Sequence, residues 1–119
     1  MIERRRSIRV DCELLSKFRN LEEGFSSHKI SETVVKNISR GGVCIRVGEF
    51  IPIHCRLYFY LQLPDHDTIE VHLVPAWIAE LSNWKQYEMG ARFVEMSSAE
   101  EVAIQSFQYR TLSGMPYKP

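Results

Sequence analysis

The apolar positions of this chain fall mostly at every second residue. Ile8, Val10, Cys12 and Leu14 share one face, and Arg9, Asp11 and Glu13 share the other. That is the period of a half-buried strand, and the pattern extends towards Phe18. β-Branched content predicts a second strand over Glu32–Lys36, and alternation predicts a third over Val43–Val47. Arg56–Leu63 reads as a fourth, with Leu57, Phe59, Leu61 and Leu63 inward and Tyr58 and Tyr60 outward. Ile69–Glu80 is a fifth with Pro75 inside it; a proline cannot donate to a ladder, so it marks a bulge or an edge. Tyr87–Glu95 is a sixth, with Met89, Ala91 and Phe93 on one face. Residues 20–31 and 48–54 read as connections, and 64–67 and 81–86 as turns.

The last element changes period. Ser97 and Ser98 stand three residues before Glu100 and Glu101, a doubled capping-box pattern. Ala103, Ile104, Phe107 and Thr111 follow at helical spacing, which predicts a helix over 98–111 ended by Gly114 and Pro116. The expected fold is all-β with one helix: six antiparallel strands and a C-terminal helix. Alternation alone requires only a sheet with one buried face.

At 119 residues the chain fits one domain. Apolar residues make up 45% and charged residues 25%, the balance of a soluble globular protein. No apolar run is long enough to span a bilayer. The polybasic start has no apolar stretch behind it, so it does not read as a secretory signal. The expected location is cytoplasmic, without membrane insertion. Cys12, Cys44 and Cys55 match neither a disulfide framework nor a paired zinc spacing. His28, His54, His66 and His72 form no helical pair, so no metal or other cofactor is expected. No Ser/His/Asp or Cys/His spacing and no carboxylate pair stands out, which argues against an enzyme.

Net charge is zero, yet it is unevenly spread. Residues 1–46 hold ten Lys/Arg against six Asp/Glu, and residues 47–119 hold five against nine. A local basic patch on a neutral body suits a small anion better than a nucleic-acid polymer. Two clusters concentrate the candidate chemistry. Arg4, Arg5, Arg6 and Arg9 lie in a leader, residues 1–9, that reads as a flexible arm. Alone, such a run is commonly a solvated tail. Asn37, Ile38, Ser39, Arg40, Gly41 and Gly42 lie between the second and third strands. Asn and Ser favour turns, and Gly41 and Gly42 permit positive φ and close approach. Alone, this is a common turn. Each arginine, however, offers a planar fork that fits a phosphate or a guanine edge bidentately and a flat face that stacks on a purine.

Together the two clusters resemble the PilZ domain family, whose signature is RxxxR followed by [D/N]xSxxG. Arg5 to Arg9 fits the first part and Asn37 to Gly42 the second. Pro75-Ala76-Trp77 and Tyr87 to Phe93 resemble two further strands of that family. The resemblance covers about residues 4 to 110 and implies closure of the six strands into a small barrel capped by the helix. The barrel domain would span 10–112 and a tail 113–119. The resemblance also implies a ligand, the bacterial messenger cyclic di-GMP. Arg5 and Arg9 would contact phosphates and guanine edges, with Arg4 or Arg6 adding charge or stacking. Asn37 and Ser39 would bond a guanine from the other side, and Gly41 and Gly42 would leave room for it. Where the family often has Asp, this chain has Asn37, a weaker acceptor. The arm begins three residues from the N-terminus, so no upstream domain is expected to be moved.

A charge-assisted hydrogen bond contributes about 1.5–3 kcal/mol. Ordering an arm costs about 1–2 kcal/mol per residue of backbone. The implied affinity is therefore moderate and sensitive to each arginine. Trp77 and Trp84 read as packing residues; an exposed Trp77 would line a partner site. The expected role is a receptor that passes the signal to a downstream protein. The rival role is an interaction module of the same fold that needs no nucleotide.

Overall fold

Strand β1 (Val10–Asn20) buries every second side chain: Val10, Ser16, Phe18 and Asn20 are buried, and Cys12 and Leu14 are half-buried. The computed structural model describes residues 8–22, 29–64, 68–81 and 85–114. Five further strands follow: β2 (Ser31–Ile38), β3 (Gly42–Val47), β4 (Leu57–Leu61), β5 (Ile69–Glu80) and β6 (Tyr87–Val94). They close into an antiparallel barrel in the order β1-β2-β3-β6-β5-β4. The expected fold is borne out, and β5 has its expected bounds.

Of the boundaries that differ from expectation, two shape the barrel and the site. β1 runs on to Asn20 because Lys17 to Asn20 pair with Tyr60 to Leu57, closing the barrel. β2 runs on to Ile38, so Asn37 lies in a strand rather than in the corner. Ile38 pairs with Val43, which leaves a hairpin between Ser39 and Gly42.

The barrel interior is aliphatic and aromatic. Val35, Ile38, Ile45, Leu57, Phe59, Leu61, Leu73 and Met89 are fully buried there. Each such side chain contributes roughly 1.5–3 kcal/mol by leaving water. Helix α1 (Ser98–Ser113) covers the core with Ala103, Ile104, Phe107 and Gln108. Of the two candidate caps, Ser97 is the one used. Its hydroxyl accepts from Glu100 N–H at 3.2 Å, and Glu100 returns the bond to Ser97 N–H at 2.9 Å. Gly114 closes the helix in the left-handed conformation at φ 70°. Gln108 Nε2 donates to the Ile8 carbonyl at 2.6 Å, which ties the helix to the chain entering β1. Among the described residues, no helix is long and apolar enough to cross a membrane.

Besides β1, whose register against β2 slips between Asp11 and Leu14, two strands carry an extra residue. In β2 the register against β3 slips between Val35 and Asn37, and in β5 the register against β6 slips between Pro75 and Trp77. The second slip answers the question posed by Pro75: it marks a bulge, and a closed barrel gives it no edge to occupy. Both bulges reverse the alternation. Thr33 and Val35 point inward, but beyond Lys36 it is Ile38 that does, and Asn37 turns outward. Val71, Leu73 and Pro75 are buried, but beyond Ala76 the next odd residue, Trp77, is exposed.

Core and cap should separate cleanly in urea unfolding. Phe59→Ala should cost about 3–5 kcal/mol, because the barrel cannot collapse around the void. Ser97→Ala should cost about 1 kcal/mol, because a single helix-end donor loses its partner.

Candidate functional site

The register sets one row of residues across the outer face. Asp11 pairs with Asn37, Asn37 with Cys44, Cys44 with Gly90, and Gly90 with Trp77. One step along, Gly42 pairs with Arg92. A cleft of about 250 Å³ opens here, with Arg9, Asn37, Ser39, Trp77 and Arg92 around it and Gly42 and Gly90 in its lining. Of the expected site residues, Arg9, Asn37, Ser39, Gly41 and Gly42 thus share one cleft. Arg4, Arg5 and Arg6 lie outside the described residues.

The corner is locally built. Ser39 N–H donates to Gly42 C=O at 2.9 Å, and Gly41 N–H donates to Ser39 Oγ at 3.2 Å. Gly41 C=O accepts from Phe93 N–H at 2.8 Å, which fastens the hairpin to β6. Neither Gly41 nor Gly42 takes a positive φ. The need for glycine at Gly42 is steric and comes from the protein itself. A Cβ there would stand 2.1 Å from the Ala91 carbonyl oxygen. The close approach expected of a ligand at Gly42 is therefore made by the β6 backbone.

Gly90 plays the corresponding part across the cleft. A Cβ there would stand 2.2 Å from Trp77 Nε1, so the indole lies directly over the bare backbone. Trp77 does pack, as its sequence context suggests, but it packs on the outside and stays 43% exposed. Arg9 and Arg92 are both exposed, and among the described residues no carboxylate pairs with either. Asp11, the register partner of Asn37, adds a carboxylate beside that amide; facing Cβ atoms in such pairs lie about 4.5–5.5 Å apart.

Cys44 is 5% exposed yet stands apart from the interior cluster. Burial first, and then the Glu88 carboxylate, push its thiol pKa up, so it stays neutral in ordinary buffers. It is a small, uncharged member of the row and brings no nucleophile to the cleft.

Sequence reasoning missed two members of this set, Arg92 and the outward role of Trp77. The signals were present. Gly90-Ala91-Arg92 alternates, so Arg92 shares the outer face with Gly90, and Pro75 announces the bulge that turns Trp77 outward. A larger groove of about 560 Å³ runs past Leu15, Ile30 and Tyr60. Its charged lining is Lys17 against Glu32 and Glu70, which suits an anion poorly.

Fold and cleft together define a class: a closed six-stranded barrel with an arginine-flanked cleft on its outer face. Within that class the chain belongs to the PilZ domain family, whose sequence pattern matches residues 3–110. No curated protein sequence matches it. Among solved structures it resembles the inhibitor of motility MotI/DgrA of Bacillus subtilis, at TM-score 0.76 and 22% identity over 97% of this chain and 55% of that one. It also resembles the PilZ domain of YcgR from Escherichia coli, solved with c-di-GMP, at TM-score 0.73 and 12% identity over 94% of each chain. The apo form of K. pneumonia MrkH matches at TM-score 0.76 and 15% identity over 96% of this chain and 53% of that one. The chain thus spans about half the length of MotI/DgrA and MrkH.

Gly90→Ala should push the indole off the strand without touching the core. In a Trp84→Phe background, where Trp77 is the only indole, its emission should shift to the red and its quenching by iodide should rise. An unchanged spectrum would show that the indole does not rest on Gly90.

Proposed function

We propose that the protein is a cyclic di-GMP receptor that binds the dinucleotide at the cleft between Arg9 and Trp77 and relays the signal to a partner protein. The observation that carries this reading is the convergence of Arg9 with Asn37, Ser39, Trp77 and Arg92 on one cleft. Membership of the PilZ family supports it, as does the likeness to a YcgR domain solved with c-di-GMP.

Each group has work to do. The two guanidinium groups lack carboxylate partners among the described residues, so a phosphodiester meets them without first breaking an ion pair. The indole offers a flat apolar face on which a guanine can stack. Asn37 and the Ser39 hydroxyl offer both donors and acceptors to a base edge. Asp11 beside Asn37 supplies the carboxylate acceptor that Asn37 itself lacks.

The size of the cleft adds a requirement. At about 250 Å³ it is smaller than the roughly 300–1,000 Å³ of pockets that enclose a ligand. It suits one base and its phosphate, and the remaining surface of the dinucleotide needs a second wall. The leader bearing Arg4, Arg5 and Arg6 is the proposed wall, with Arg5 and Arg9 as the RxxxR pair. Gln108 holds the Ile8 carbonyl at 2.6 Å, directly before Arg9, so the helix fixes the point from which the leader departs. Closure of the leader over the ligand then changes the surface offered to a partner near the helix.

Calorimetry with cyclic di-GMP tests the reading. Wild type should bind, and Arg5→Ala, Arg9→Ala and Arg92→Ala should each lose about 1.5–3 kcal/mol, or roughly 10- to 150-fold in affinity. Ser39→Ala should lose less, as a neutral hydrogen bond does. Absence of heat with wild type would leave the nucleotide-independent interaction module instead.

A further inference from the structure

At the opposite end of β1 from Arg9, the side chains of Glu22, His54 and Cys55 converge. One carboxylate oxygen, one imidazole nitrogen and one sulfur all lie within 4.8 Å of one another. We propose that these three residues form a binding site for a divalent cation of the zinc class, with the fourth coordination position open to water.

The backbone holds the two contributing segments together before any ion arrives. Asn20 pairs with Leu57 in the ladder, and Leu21 N–H donates to the Arg56 carbonyl at 2.9 Å, which carries Glu22 to the entry of β4. Glu22 N–H donates to Asn20 Oδ1 at 2.9 Å, which fixes the turn out of β1. Cys55 N–H donates to the Pro52 carbonyl at 3.2 Å, which folds Pro52 to Cys55 into a turn and brings His54 beside the thiol. The donors therefore sit on rigid backbone, as a metal site requires.

Among the described residues, no hydrogen bond or ion pair joins the three side chains to one another, and no Lys or Arg pairs with Glu22. Arg56, next to Cys55 in sequence, reaches Glu95 instead, at 3.6 Å. Metal bonds of about 2.0–2.3 Å place tetrahedral ligands roughly 3.3–3.8 Å apart, so the side chains need draw in by only about 1 Å. His54 is exposed and free to turn.

The donor set selects the ion. Zinc accepts sulfur, nitrogen and oxygen together, whereas magnesium and calcium want oxygen. Cys55 is fully buried at the rim of the core and Glu22 and His54 close from outside, so one side of the ion would be shielded from water. Binding forms a metal–thiolate bond and releases the thiol proton to solvent, so affinity falls as pH falls. Spacing along the sequence could not reveal this set, because Glu22 follows the end of β1 and its partners come from the loop before β4. The site shares no residue with the arginine cleft and does not depend on the nucleotide reading.

Cobalt titration of the metal-free full chain tests the proposal. Wild type should develop a thiolate-to-cobalt charge-transfer band that saturates at one equivalent and is lost when zinc is added. Glu22→Gln and His54→Ala alter the surface rather than the core and should keep the native circular dichroism. Each should weaken cobalt binding by at least the roughly 10- to 100-fold typical of losing an outer-shell partner. Cys55→Ser should abolish the band. The proposal is overturned if wild type gives no charge-transfer band, or if Glu22→Gln and His54→Ala both bind cobalt as wild type does; this pair decides even if Cys55→Ser does not fold.

Discussion

Two single-residue bulges govern what the outer face of this barrel displays. A strand alternates strictly, so one extra residue exchanges inside for outside beyond it. The bulge at Lys36 turns Asn37 out, and the bulge at Ala76 turns Trp77 out. Asn37 and Trp77 stand on either side of Cys44 and Gly90 in the register row. The space between them exists because that row carries little bulk. Gly90 has no side chain beneath the indole, and Gly42 has none against the β6 backbone. The cleft is thus a consequence of register and missing Cβ atoms, while the barrel interior goes on packing undisturbed.

Its charge follows from the same geometry. Arg9 leaves β1 just before Val10, whose partner is Ile38, so it emerges opposite Ser39. Arg92 faces Gly42, where no side chain competes for the space. Elsewhere on the barrel, Lys36, Arg46 and Arg56 are neutralised by Glu13, Glu88 and Glu95. Arg9 and Arg92, which have no carboxylate partner among the described residues, stand beside the exposed Trp77, and the proposed anion site uses both. Helix α1 contributes at a distance. Its capping box fixes where it starts, its apolar face covers the core, and Gln108 reaches the carbonyl that precedes Arg9.

Much of this was legible in the sequence because alternation is a direct readout of burial. Leu57, Phe59 and Leu61 alternate as one face of a strand, and Ser97 with Glu100 reads as a helix start. The pairing of RxxxR with NxSxxG brought out Arg9, Asn37 and Ser39. What stayed hidden depended on register between strands distant in sequence. Nothing local to Lys36 announces its bulge, so Asn37 read as part of a corner. The glycine at Gly42 answers to Ala91, and Trp77 answers to Gly90. The convergence of Glu22, His54 and Cys55 is likewise a product of barrel closure between β1 and β4.

The account rests on Trp77 and Asn37 facing one ligand from two sides of one cleft. The most direct measurement is the set of intermolecular nuclear Overhauser effects in the complex with cyclic di-GMP. The account predicts cross-peaks from a guanine C8 proton to the Trp77 indole and from the same nucleotide to the Asn37 side-chain amide. Cross-peaks that run instead to Ile30 and Tyr60 in the larger groove, with none to Trp77, would contradict it.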